Sequence, residues 1–173
     1  GIQFYDGIST GEIQEILIRS ASDLIDLEHP NYQYAAARLL LFSLRKQVFG
    51  RIHDHPLLID HVKFNVDRGV YDSEILTLYS EEEFNKLQGF IDHDRDYLFT
   101  YAGLRQVVDK YLVQDRSSGE LYESPQFMYL LISAFIFSKY PKETRLDYVK
   151  KYYDAISKHK INIPTPIMAG VRT

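Results

Sequence analysis

The chain has 173 residues, of which 45% are hydrophobic, and this is enough to bury the core of one domain or of two small ones. Its formal net charge of -4 arises from 20 basic and 24 acidic residues and provides no broad cationic surface, so we expect neither nucleic acid nor a membrane as a partner. The sequence has no cysteine, which excludes disulfides, thiolate catalysis and thiolate metal sites, and it shows no signal-peptide pattern, so we expect a cytoplasmic protein.

The first 50 residues predict two helices joined by a short loop. Ser9 or Thr10 can cap a first helix, whose apolar residues recur at three- and four-residue spacing until Pro30 stops it. The second helix is predicted from Tyr32 to about Phe49, and Gly50 ends it. Because apolar residues cover much of its circumference, we expect this second helix to be buried.

The middle of the chain predicts shorter helices. One is expected over residues 57–68, and a very short one follows it. Ser80 and Glu83 form the pattern of a capping box ahead of the next helix. A further helix is predicted over residues 97–110.

The last third of the chain predicts a hairpin, a buried helix and a tail. Residues 111–123 predict a short β-hairpin, because two short runs flank a polar turn with a glycine. A helix opening at Ser124 is apolar on every side, and an amphipathic helix to about residue 159 follows it. The residues expected to be buried in the first of these helices are Tyr129, Leu130 and Phe135. The sequence therefore predicts an all-α, multi-helix fold with one hairpin near 111–123 and an extended C-terminal tail that is poorly anchored.

Two groups of side chains could bind a metal ion. They are His53, His55 and His61 with Asp54 and Asp60, and the acidic set Asp92, Asp94 and Asp96. The first group spans a loop and a helix turn, which is more typical of solvated loop residues than of zinc ligands. The second group lacks the glycine and the terminal glutamate of a calcium loop, and acidic residues ahead of a helix favour its positive end. We therefore predict no metal site.

Several strings, in their order along the chain, resemble a known family. They are "YQYAAARLLLFSLRKQVFG", "IDHDRD", "YLVQD", "SSGELYESPQFMYLL" and the tail "NIPTPIMAGVRT". These strings resemble the large, catalytic subunit of class I ribonucleotide reductase, in particular that of bacterial and phage aerobic enzymes. The resemblance implies that the chain is an N-terminal fragment, with the end of the ATP-cone in residues 1–50 and the helical N-terminal domain in residues 51–173. That domain would end where a ten-stranded catalytic α/β barrel starts.

The resemblance also implies three ligand contacts and no catalytic residue. Thr10, ahead of one helix, and Lys46, late in the next, match positions that contact the effector nucleotide, ATP or dATP. A helix N-terminus and a cation both suit phosphate, although a cap and a surface charge would explain the same residues. Thr165 lies between two prolines and matches a residue that bonds the diphosphate of the substrate; otherwise it is a turn residue.

The reaction implied by the resemblance is the reduction of ribonucleoside diphosphates to deoxyribonucleoside diphosphates by a thiyl-radical mechanism. The parent enzyme would use ATP and dNTP effectors, a thioredoxin- or glutaredoxin-type reductant, a radical-generating metal small subunit and a second large subunit. Because this chemistry needs sulfur, the cysteine-free chain is expected to be inactive alone and to hold no cofactor. The alternative is a self-standing helical regulatory or interaction module, and the coding sequence beyond Thr173 would distinguish the two.

Overall fold

The computed structural model describes residues 5–173, apart from the side chain of Ala169, and these residues form an all-α fold, as predicted. The α-helices are α1 (Thr10–Asp23), α2 (Tyr32–Phe49), α3 (Leu58–Asp67), α4 (Ile75–Leu78), α5 (Glu81–Gln88), α6 (Tyr101–Gln106), α7 (Pro125–Ile136), α8 (Arg145–Ser157) and α9 (Thr165–Gly170). A 3₁₀ helix (His93–Leu98) precedes α6, and a π-helical turn (Val107–Tyr111) follows it. Each helix within residues 5–173 is too short or too polar to span a lipid bilayer.

The helix pair α1–α2 follows the sequence pattern closely. The Ser9 hydroxyl accepts the Glu12 amide at 3.2 Å, and the Glu12 carboxylate accepts the Ser9 amide at 2.8 Å, so α1 begins with a capping box. Helix α2 has the predicted bounds and ends at Gly50, whose φ of 73° is the left-handed conformation that glycine adopts without strain. The predicted end of α1 near Pro30 is wrong, because α1 ends at Asp23.

Helix α7 lies at the centre of the core. It packs against α8, the 3₁₀ helix and α9, and most of its side chains are buried on every side. Tyr129 and Leu130 are buried as predicted, whereas Phe135 is only half-buried because it lies in the last turn, where α7 leaves the core. Helix α2 packs on α1 with one face and on α6 and the 3₁₀ helix with another, which explains why apolar residues cover much of its circumference.

The single helix predicted over 97–110 is wrong, because local caps divide this stretch. Asp92 accepts the Asp94 amide at 3.0 Å and opens the 3₁₀ helix. The Thr100 hydroxyl accepts the Gly103 amide at 3.2 Å and opens α6 as a new helix. Side chains that cap the backbone locally therefore override the longer helical period.

The hairpin predicted near 111–123 is reduced to one antiparallel bridge between Gln114 and Leu121. The Tyr122 amide donates to the Val113 carbonyl at 3.1 Å, but the Val113 amide donates to the Glu123 carboxylate at 2.9 Å instead of to a facing strand. A buried side chain thus takes the hydrogen bond that would have extended the ladder.

The predicted extended, poorly anchored C-terminal tail is also wrong. Thr165–Gly170 forms a short helix, Met168 is buried, and Arg172 has no exposed surface. The tail is held by an ion pair between Arg172 and Glu123, which the apolar pattern of the tail does not reveal.

Candidate functional site

The structure brings Thr10 and Lys46 to one cavity, which we call the helix-pair cleft. The cleft has a volume of about 710 Å³ and lies between the N-terminus of α1 and the last turns of α2. It is lined by Tyr5, Ile8, Ser9, Thr10, Gly11, Glu12, Gln14, Glu15, Ile16, Arg19, Ser43, Lys46 and Gln47. The two residues matched to the effector site are therefore neighbours across one cavity, although 36 positions separate them in the sequence.

The helix-pair cleft carries charges of both signs. Lys46 and Arg19 supply cations, and neither makes an ion pair with any residue in the part of the chain that the structure describes. Glu12 and Glu15 supply carboxylates. Bonds from the Ser9 backbone, the Ser9 hydroxyl and the Tyr5 hydroxyl lower the pKa of Glu12, so this carboxylate stays charged at the start of α1. A phosphate there would meet two cations and one helix N-terminus but also the carboxylates of Glu12 and Glu15.

Thr165 lies in a different place, at the first position of α9. Its side chain is exposed, and its hydroxyl oxygen lies 3.4 Å from the Tyr111 hydroxyl oxygen. A second cavity of about 470 Å³ lies next to it, with Tyr111, Ile163 and Met168 in its wall. This cavity shares no lining residue with the helix-pair cleft among the described residues. The structure therefore does not bring Thr165 together with Thr10 and Lys46.

A buried ion pair, missed by the sequence analysis, fixes the end of the chain. The Arg172 guanidinium Nε lies 2.8 Å from one oxygen of Glu123 and 3.0 Å from the other, and its Nη2 also donates to Glu123. Its remaining donors reach the Met168 carbonyl at 2.6 Å and the Tyr111 carbonyl at 2.9 Å. Neither charged side chain has any exposed surface. The Tyr71 hydroxyl also donates to Glu123 at 2.5 Å. We call Glu123, Arg172, Tyr71 and the Tyr111 carbonyl the tail clamp.

Protonation states in the tail clamp follow from its geometry. Burial favours a neutral Glu123, but the Arg172 charge and the hydrogen bonds to the carboxylate outweigh it, and the pKa of Glu123 is lowered. The Tyr71 hydroxyl donates to Glu123, and its oxygen lies 2.9 Å from His61 Nε2, which also lies 3.3 Å from the Asn65 amide nitrogen. Burial lowers the pKa of His61 to about 4, which keeps the ring neutral at pH 7.

A second buried polar group involves Asp96, which the sequence placed among possible metal ligands. Arg45 donates to the Asp96 carboxylate at 3.1 Å, and the Gln126 amide donates to its other oxygen at 2.8 Å. The Tyr153 hydroxyl donates to the Gln126 carbonyl oxygen at 2.6 Å. Asp96 therefore joins α2, the 3₁₀ helix, α7 and α8, and its oxygens point into the core.

The histidines of the first candidate metal group lie in separate environments. His53 is exposed, and His61 is buried beside Tyr71. His55 stacks on His93 with ring centroids 3.6 Å apart and planes 4° from parallel. Burial lowers the pKa of His55 to about 4 and that of His93 to about 3, so both rings of the stack are neutral at pH 7.

Comparisons with known proteins agree with the resemblance seen in the sequence. The family described as "Ribonucleotide reductase, all-alpha domain" matches residues 97–173. The chain is 56% identical over 172 residues to the ribonucleoside-diphosphate reductase 1 subunit alpha of Escherichia coli K12, covering 99% of this chain and 22% of that protein. It is 58% identical over 172 residues to the corresponding alpha subunit of Haemophilus influenzae, covering 99% and 23%. It is 45% identical over 168 residues to that of Enterobacteria phage T4, covering 97% and 22%. The chain thus spans less than a quarter of the length of these relatives.

Proposed function

Because this chain belongs to the family of ribonucleotide reductase large subunits, we propose that the protein that carries it reduces ribonucleoside diphosphates to deoxyribonucleoside diphosphates. The observation that carries the proposal is the identity of 56% over 99% of the chain to the ribonucleoside-diphosphate reductase 1 subunit alpha of Escherichia coli K12. The chain has no cysteine, so the thiyl radical and the reducing thiol pair of this chemistry must come from residues outside it.

The proposed role of the chain is to supply a helical scaffold and two ligand contacts. Residues 1–50 would be the end of an ATP-cone and residues 51–173 the helical domain. The packing of α2 supports a close connection between the two parts, because Lys46 faces the helix-pair cleft while its neighbour Arg45 is buried against Asp96. A nucleotide in the cleft would therefore bind to a helix that is also part of the core.

The proposed effector site is the helix-pair cleft. Lys46 can offer a point charge to a phosphate of ATP or dATP, and Thr10 lies in the first turn of α1, where amides are free to donate. The complete enzyme would also need a thioredoxin- or glutaredoxin-type reductant, a radical-generating small subunit and a second large subunit, as the family resemblance implies.

The proposed substrate contact is the Thr165 hydroxyl. It is exposed, and its only side-chain neighbour within hydrogen-bond distance among the described residues is the Tyr111 hydroxyl at 3.4 Å, a weak bond that a phosphate oxygen could replace. Such a contact would be made in the ground state and in the transition state alike, so its loss should appear in KM.

Steady-state kinetics on the full-length alpha subunit with its small subunit tests this proposal. Thr165→Ala should raise the KM for a ribonucleoside diphosphate about tenfold or more, since a hydrogen bond to a charged group is worth about 1.5–3 kcal/mol. The matched control is Thr77→Ala, an exposed threonine whose hydroxyl donates to the Glu74 carbonyl of its own turn. Absence of diphosphate reduction by the wild type would refute the function, and an unchanged KM in Thr165→Ala would remove Thr165 from the site.

A further inference from the structure

We propose that Arg172 and Glu123 are positioning residues, which place Thr165 for its substrate by holding α9 against the Tyr111 turn. This inference rests on the proposed function of Thr165 as a diphosphate contact. The Arg172 side chain reaches three separate parts of the molecule: the end of α9 at the Met168 carbonyl, the π-helical turn at the Tyr111 carbonyl, and Glu123.

Tyr111 is the common reference point for both ends of α9. At the start of the helix, the Thr165 hydroxyl lies 3.4 Å from the Tyr111 hydroxyl. After its end, the Arg172 guanidinium donates to the Tyr111 carbonyl at 2.9 Å. A helix of six residues has little stability of its own, so its place depends mainly on the contacts of Arg172 and on the burial of Met168.

Glu123 is itself held by two groups outside the tail. The Tyr71 hydroxyl donates to one carboxylate oxygen at 2.5 Å, and the Val113 amide donates to the other at 2.9 Å. His61 Nε2 in α3 lies within hydrogen-bond distance of the Tyr71 oxygen, so the chain of bonds reaches a helix in the core. The backbone adds a further link, because the Asp72 amide donates to the Arg172 carbonyl at 3.2 Å. The carboxylate that receives Arg172 is therefore also held by residues outside the tail.

The energetics of this pair favour a positioning role over a stabilising one. Burying two charges costs desolvation energy that their attraction recovers only in good geometry, and well-packed apolar residues often stabilise a fold as well or better. An ion pair with no exposed surface, in which the guanidinium is bidentate and its other donors are satisfied, contributes orientation. Displacing Thr165 by about 1 Å would weaken a contact that depends on alignment.

The first test measures the position of α9 in the 173-residue chain. Arg172→Lys keeps the positive charge but loses the several hydrogen bonds of the planar guanidinium. It should accelerate amide hydrogen exchange at Ile167 and Met168 about tenfold or more. The control Arg105→Lys changes an exposed pair with Asp109, 3.2 Å apart, and should leave α9 unchanged. Unchanged exchange in Arg172→Lys, with circular dichroism like that of the wild type, would overturn the proposal.

The second test is a double-mutant cycle in the full-length alpha subunit. If Arg172 acts through Thr165, Arg172→Lys alone should raise the diphosphate KM several-fold with kcat changed less than about twofold. Added to Thr165→Ala, it should raise KM no further, because the contact is already absent. Independent, multiplicative effects would overturn the proposal. If Thr165→Ala alone leaves KM unchanged, the substrate contact fails, while the exchange measurement still decides whether Arg172 positions α9.

Discussion

The helix-pair cleft and the tail clamp hold their polar side chains in opposite ways. In the cleft, Thr10 and Lys46 are exposed and are joined to each other only by the two helices that carry them. In the clamp, Glu123 and Arg172 are fully buried and bound to each other. A ligand at the proposed effector site would have to order the side chains of the cleft, whereas the proposed clamp fixes its neighbour Thr165 in advance. The side chains of the tail are therefore preorganised, whereas the order of the side chains in the cleft depends on a ligand and on further residues.

Removing one charge of the tail clamp should have the largest effect on stability. Glu123→Ala leaves the Arg172 guanidinium buried without its carboxylate, which we expect to lower the free energy of unfolding by about 3–5 kcal/mol. The control Glu82→Ala breaks an exposed pair with Lys86, 3.2 Å apart, and should cost less than about 1 kcal/mol. Urea unfolding followed by circular dichroism measures both. Equal losses in the two variants would show that the buried ion pair of the clamp contributes no more to stability than an exposed ion pair.

Lowering the pH should reduce the free energy of unfolding through His61, which lies beside Tyr71 of the tail clamp. Its pKa is lowered by burial to about 4 in the folded chain, against about 6.5 unfolded, so the unfolded state binds more protons between these values. The contribution of neutral His61 to the free energy of unfolding is therefore fully present above pH 6.5 and is lost as the pH falls toward 4. His55 and His93 act in the same direction.

The size of the His61 effect can be isolated with a variant that does not titrate. Between pH 7 and pH 5, the wild type should lose about 2 kcal/mol more stability than His61→Gln. Urea titrations at the two pH values give the difference. A parallel loss in both proteins would mean that His61 is not buried in its neutral form.

On the cleft side, the cap of α1 should have a smaller effect. Ser9→Ala removes the hydroxyl that accepts the Glu12 amide and should destabilise the chain by about 1 kcal/mol. The conservative control Ser9→Thr keeps a capping hydroxyl and should recover most of the loss. Thermal unfolding distinguishes the variants, and identical midpoints for alanine and threonine would show that the cap does not support α1.

Replacing Lys46 should change the free energy of unfolding least, because its proposed role is confined to ligand binding. Lys46→Ala should change the free energy of unfolding by no more than about 0.5 kcal/mol, because the side chain is exposed and makes no ion pair among residues 5–173. Calorimetry on the 173-residue chain should find ATP and dATP binding weaker than micromolar, since few contacts cannot offset the cost of ordering a triphosphate. Micromolar binding that Lys46→Ala abolishes, while Lys63→Ala does not, would show that the cleft is a complete site.

The sequence predicted those parts of the fold that depend on local chemistry. The cap at Ser9, the capping box at Ser80 and the end of α2 at Gly50 are short-range patterns with a direct backbone cause. The all-round apolar run predicted the central position of α7 in the same way.

The tail clamp could not be predicted, because it joins residues that lie 49 positions apart. Glu123 and Arg172 each resemble an ordinary charged residue in the sequence, and neither takes part in an apolar period. The tail was predicted to be extended because its prolines and apolar residues suggest unpaired chain, while the residue that anchors it is an arginine. The anchoring arginine is visible in the string "GVRT", but its partner Glu123 can be identified only from the fold.

Amide hydrogen exchange of the wild-type 173-residue chain tests most directly whether the tail is anchored by residues within this chain. The Met168 amide donates to the Pro164 carbonyl at 3.3 Å, and the Asp72 amide donates to the Arg172 carbonyl at 3.2 Å. We expect both amides to exchange at least about tenfold more slowly than in an unfolded peptide, because the clamp holds them without any further domain. Exchange of both amides at the unfolded rate would contradict the account and would show that Arg172 and Glu123 do not fix the tail in this chain.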